Sequence, residues 1–134
     1  MFKIGIVENF HKDGIKLLED HPNFEYEIID DVSKENLIKE LPKFDGLTLR
    51  VAKLGSDILS KCKKLKVISR HGVGYDNVDI NHLKKNNITL LITATGNALA
   101  VAEHVMYMML SLSKGVTLYD SEVRSGNFKK NANK

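Results

Sequence analysis

The stretch "SRHGVGYDNVDI", residues 69–80, decides the fold. It follows an apolar run, Leu65-Lys66-Val67-Ile68, and sets Gly72 and Gly74 on either side of Val73. A strand running into G-x-G suggests a loop that cradles a dinucleotide. That fingerprint also needs a third glycine, a helix opening at once, and an acid about 20 residues further on. Here Asn77 holds the third-glycine position, and "YDNVD" reads as a turn. No acid stands near the required distance, and Glu103 comes too late. A glycine turn at a strand end is therefore the plain reading. Its position still matters, because open α/β sheets bind ligands beyond the carboxyl ends of their strands. Successive N–H groups in a tight turn form an anion nest, and glycine lets a ligand approach the backbone. "HGVG" can thus hold a carboxylate or phosphate without any nucleotide.

Outward from this loop, short β-branched runs alternate with amphipathic stretches. Strands are predicted at Phe2 to Val7, Phe24 to Ile29, Gly46 to Val51, Leu65 to Ser69 and Ile88 to Thr93. Helices are predicted at His11 to Asp20, after an N-cap at Ser33, at Ser56 to Cys62, and at Val78 to Lys85. Such alternation with short links implies right-handed crossovers and a parallel sheet. The predicted fold is α/β: a flavodoxin-like, doubly wound, parallel five-stranded sheet of order 2-1-3-4-5.

Asn97 to about Arg124 reads as one long helix, roughly 40 Å at 1.5 Å per residue. Its middle, "HVMYMMLSLS", is apolar around most of its circumference. Such a helix needs cover on all sides, so a second domain or a second chain is expected. The expected organisation is a domain over residues 1–96, a long crossover helix over 97–126, and a frayed polar tail over 127–134.

Composition narrows the function. The chain has 134 residues, 28% charged, with a net charge of +3 and no basic stripe with interleaved aromatics, so nucleic acid is not an expected partner. Cys62, the single cysteine, excludes an internal disulfide and a cysteine-based zinc site, and fits a reducing cytoplasm. "MFKIGIVENF" lacks the apolar core of a signal peptide, and the longest apolar run, Val105 to Leu110, is too short to span a membrane. No ligand spacing suggests a metal site.

"VISRHGVGYDNVDI", "ATGNALAVAEHVMYMMLSLSK" and "RSGNF" together resemble the D-isomer-specific 2-hydroxyacid dehydrogenases, in particular their phosphoglycerate dehydrogenase-like branch. The likeness runs from Met1 to about Phe128. It implies that this chain is the flavodoxin-like substrate domain of an enzyme transferring hydride between NAD(H) and a small 2-hydroxy or 2-keto acid. In the family a second, Rossmann domain carries G-x-G-x-x-G and supplies the catalytic arginine, glutamate and histidine. No catalytic residue is then expected here, and the chain reads as an N-terminal piece that alone neither binds NAD nor turns over.

The resemblance also assigns residues. Val73 and Gly74 match the loop whose backbone N–H groups hold the substrate carboxylate. Asn97 matches an asparagine near substrate and nicotinamide; as a sequence feature it is equally a helix cap. Arg50 matches a substrate-side arginine, although "RVAKLG" stands where the family often reads R-S-A-T-K. Val101 matches a cofactor-touching position; by composition it is a core valine. Asp76, Asn77 and Asp79 read as turn builders that bond their own backbone. His71, Glu103 and His104 read as structural. Glu103 and His104, adjacent on a helix, point about 100° apart and cannot relay a proton to each other. The family's helix lies near a two-fold interface, so a homodimer through 97–126 is expected. The competing expectation is a stand-alone ligand-binding or dimerisation module without catalysis.

Overall fold

The computed structural model describes residues 1–127. Five parallel strands form one sheet: β1 (Phe2–Val7), β2 (Phe24–Ile29), β3 (Gly46–Leu49), β4 (Val67–Arg70) and β5 (Thr89–Ile92), in the order β2-β1-β3-β4-β5. The register places Leu47 beside Gly5 and Ile68, and Ile68 beside Leu90. The connecting helices are α1 (Lys12–Glu19), α2 (Lys34–Glu40), α3 (Ser56–Leu59) and α4 (Ile80–Lys85). A 3₁₀ turn at Leu41–Lys43 extends α2, with Pro42 at its start. The predicted doubly wound sheet is what the chain forms.

Local chemistry sets the helix starts. The Ser33 hydroxyl accepts the Asn36 N–H at 3.4 Å and opens α2. The Asp79 carboxylate accepts the His82 N–H at 2.9 Å and opens α4, so this helix begins two residues later than predicted. Val78 instead pairs with Leu54 in an isolated parallel bridge. β3 stops at Leu49, short of the predicted Val51, because the N–H groups of Val51 and Ala52 turn to the Glu8 carboxylate.

The core lies on one face of the sheet. Val7, Leu47, Leu49 and Ile68 meet Leu37 of α2, Ile58 and Leu59 of α3, and Leu83 of α4. Phe44, fully buried, closes it. Side chains alternate along a strand, so Thr48 and Ser69 point to the opposite face. There α1, which buries none of its residues, leaves a groove of about 540 Å³ lined by Phe10, Leu17, Leu18, Thr48, Ser69 and His71, among others.

The contacts divide the chain into two units, Met1–Thr95 and a second beginning at Gly96. The second unit corrects one prediction. Two helices, α5 (Ala98–Lys114) and α6 (Val116–Arg124), replace the single long one. Gly115 sits between them at φ 58°, ψ 38°, a left-handed conformation that ends a helix and is taken at no steric cost by glycine. The apolar residues of α5 and α6, from Leu99 to Leu118, are exposed, and α5 buries none of its residues. No helix among the described residues is long and apolar enough to cross a membrane. The tail expected over 127–134 lies, apart from Asn127, outside the described residues.

Candidate functional site

In a parallel sheet every strand ends on the same edge. That edge gathers Glu8 after β1, residues 50–53 after β3, residues 71–79 after β4, and Thr93 after β5. The glycine loop is suspended between neighbouring strands. The His71 N–H donates to the Leu49 carbonyl at 2.7 Å, and the Thr93 N–H donates to the Gly72 carbonyl at 3.1 Å. Gly72 takes φ 147°, and the Arg70 guanidinium folds beneath it to donate to the His71 carbonyl at 2.8 Å. A Cβ at Gly72 would overlap Arg70 Nη1.

Past Gly72 the backbone is free to serve a ligand. Among the described residues, neither the Val73 nor the Gly74 N–H donates to a protein acceptor. The loop closes downstream, where the Val78 N–H donates to the Tyr75 carbonyl at 3.1 Å. Two uncommitted donors thus stand side by side on a crest fixed at both ends.

Asn77 departs from the expectation that it bonds its own turn. Its Nδ2 instead crosses to the loop after β3, donating to the Ala52 carbonyl at 2.8 Å and the Arg50 carbonyl at 3.3 Å. That side-chain reach carries no local sequence signature, since the partners lie 25 and 27 residues away. Glu8 is a site residue that sequence reasoning misses altogether. Its Oε2 accepts the N–H groups of Val51 and Ala52, each at 2.7 Å. Arg50 belongs to this cluster, and its Nη1 donates to the Asn9 carbonyl at 3.2 Å.

The five residues singled out in the sequence fall into two groups. Arg50, Val73 and Gly74 stand at strand ends of the first unit. Asn97 and Val101 belong to the second unit, at the start of α5. Asn97 is the N-cap residue by position, and its carbonyl accepts the Val101 N–H at 2.9 Å, but its side chain makes no capping bond. Val101 is half exposed. Cys62 is buried among apolar groups, which pushes its thiol up to about 11 and removes it from nucleophilic chemistry near neutrality.

The glycine loop does not fit a dinucleotide pyrophosphate. Asn77 occupies the third-glycine place with its amide committed elsewhere, and the six-residue α4 begins only at Ile80. The class defined by this fold and edge is a flavodoxin-like domain with two uncommitted N–H groups beyond β4. The comparisons carry this to a family. Residues 4–129 match the family described as D-isomer specific 2-hydroxyacid dehydrogenase, catalytic domain, and the chain belongs to it. It is 30% identical over 129 residues to the D-3-phosphoglycerate dehydrogenase of Archaeoglobus fulgidus, which covers 96% of this chain and 24% of that protein. It is also 30% identical to the hydroxypyruvate reductase of Thermotoga maritima, covering 98% of this chain and 43% of that one. Among solved structures, the D-lactate dehydrogenase of Aquifex aeolicus, complexed with NAD and lactic acid, superposes with a TM-score of 0.80 at 25% identity, over 96% of this chain and 39% of that one. The chain thus spans well under half the length of these relatives.

Proposed function

We propose that this chain supplies the carboxylate-binding wall of an NAD-dependent 2-hydroxyacid dehydrogenase of the phosphoglycerate dehydrogenase-like branch. The observation that carries the reading is the pair of uncommitted N–H groups at Val73 and Gly74, beyond β4, in a domain of this family. A substrate carboxylate accepts these two donors. Arg50, on the adjacent loop, adds positive charge on the same edge. The family resemblance assigns Asn97 to the substrate and Val101 to the nicotinamide, and the Asn97 side chain makes no capping bond that competes with such a role. NAD supplies the hydride chemistry when bound. This chain's residues bind and orient the acid, and the proton-transferring groups belong to a Rossmann domain outside it. The reading places the enzyme in a reducing cytoplasm, where the unpaired Cys62 stays a thiol. The exposed apolar residues of α5 favour a homodimer through residues 97–126.

Titration with D-lactate, followed by amide resonances, tests the reading. The N–H signals of Val73 and Gly74 are expected to move first and furthest. Added NADH is expected to show no saturable fluorescence change, and no oxidation of D-lactate by added NAD+ is expected. Saturable micromolar NADH binding, or D-lactate shifts that bypass Val73 and Gly74, overturns it.

A further inference from the structure

We infer that Asn77 and Glu8 are positioning residues that lock the two loops of the candidate carboxylate site into one rigid unit. The inference rests on the carboxylate-nest reading and adds to it the parts that hold the nest in place. The backbone of residues 50–52 is claimed from both sides. Its N–H groups, at Val51 and Ala52, go to Glu8 Oε2. Its carbonyls, at Arg50 and Ala52, go to Asn77 Nδ2. Main-chain bonds continue the join. The Leu54 N–H donates to the Asn77 carbonyl at 2.8 Å, and the Asp79 N–H donates to the Leu54 carbonyl at 3.1 Å. The ends of β1, β3 and β4, neighbours in the sheet, are thereby tied together.

The orientation of the Asn77 amide follows from its partners. Two carbonyls face it, so only the nitrogen can point at them. Its Oδ1 is buried and accepts no hydrogen bond from the described residues. A side chain selected for stability alone would not leave a buried acceptor without a protein donor. Glu8 carries a second local cost. It stands at φ 64°, a left-handed conformation that favours glycine or asparagine. Glutamate is explained there by its reach, since its carboxylate makes two charge-assisted bonds to the next strand's loop. Asn87 after α4 is also left-handed, and Thr48 Oγ1 and Arg70 Nε are also buried without a partner among the described residues. At Glu8 and Asn77, however, both kinds of cost meet on the same loop backbone, as expected of a site whose geometry is held for function. A nest binds well only when its donors stay within about 0.5 Å of the productive position. Gly72 fixes the upstream end of the nest through Thr93, and Asn77 fixes the downstream end through the loop after β3.

The test uses the full chain and D-lactate as probe. Asn77→Asp is isosteric and turns an oxygen toward the two carbonyls. Glu8→Ala removes the acceptor, and Glu8→Gln keeps one. Asn77→Asp and Glu8→Ala are each expected to weaken D-lactate binding at the Val73 and Gly74 amides by about tenfold. Glu8→Gln is expected to stay within about twofold of the parent chain. A merely structural role would lower the melting temperature and leave the affinity of the folded protein unchanged, and that result overturns the inference. Amide relaxation without ligand separates this idea from the carboxylate reading. Both disruptive variants are expected to loosen residues 50–53 and 73–76. Unchanged relaxation sinks the tether even if D-lactate binds, whereas loosening in a chain that never binds D-lactate keeps the tether and sinks the reading. Should Asn77→Asp fail to fold, the Glu8 pair carries the same comparison.

Discussion

Gly72 shows how one residue governs the loop. It stands at φ 147°, and a Cβ there would run into the Arg70 guanidinium while that group bonds His71. Gly72→Ala is expected to cost about 1–3 kcal/mol, read from urea denaturation. A loss below half that range would mean that the backbone relaxes freely there. Charge at single residues sets the acid limit. Lys43, then Lys3, hold the Glu27 carboxyl below its ordinary 4.5, and Lys34 holds that of Asp57 below 3.8. A carboxyl lowered in the folded state contributes stability that is present above its unfolded value and lost as pH falls through its folded one. The urea midpoint is therefore expected to decline as pH drops below 4.5, and more shallowly in Glu27→Gln. Both groups keep substantial contact with solvent, so the effect is small and fades in high salt. A midpoint indifferent to pH between 5 and about 3 would contradict it.

Among the elements, the break at Gly115 is the most open to manipulation. Alanine disfavours the left-handed conformation by about 1–2 kcal/mol and favours helix over glycine by about 1 kcal/mol. Gly115→Ala is expected to fuse α5 and α6 and deepen the ellipticity at 222 nm, while Gly115→Asn keeps the break. An unchanged spectrum for the alanine variant would show that contacts beyond residue 115 hold the bend. The strands and their order were legible because parallel strands read as β-branched runs, and turn residues punctuate them. The break was not legible: a single glycine is tolerated inside a helix, and nothing local distinguishes that from a stop. The nest was visible in "GVG" as chemistry, but its supports were not. Glu8 looks like any polar residue after a strand, and its partners lie 43 and 44 residues away. Only folding brings them together.

At the scale of the whole molecule, the exposed apolar run on α5 predicts self-association in solution. Fully burying one large apolar side chain gains roughly 1.5–3 kcal/mol, and several stand uncovered from Leu99 to Leu112. We expect the chain to sediment as a dimer at micromolar concentration, with identical helices meeting about a two-fold axis. Met109 lies mid-helix at 59% exposure. Met109→Glu is expected to shift the distribution toward monomer. A monomeric parent chain, or a dimer untouched by the substitution, rules this interface out.

The Glu8 clamp has a consequence in time. It joins residues more than 40 positions apart, outside the strands, and is expected to form after β1 and β3 have paired. Interactions made that late are absent from the folding transition state and weigh on the unfolding rate instead. If an anion seats on the Val73 and Gly74 N–H groups, it is expected to lengthen the lifetime of the native chain and leave its speed of refolding untouched, as stopped-flow unfolding and refolding with and without D-lactate would read.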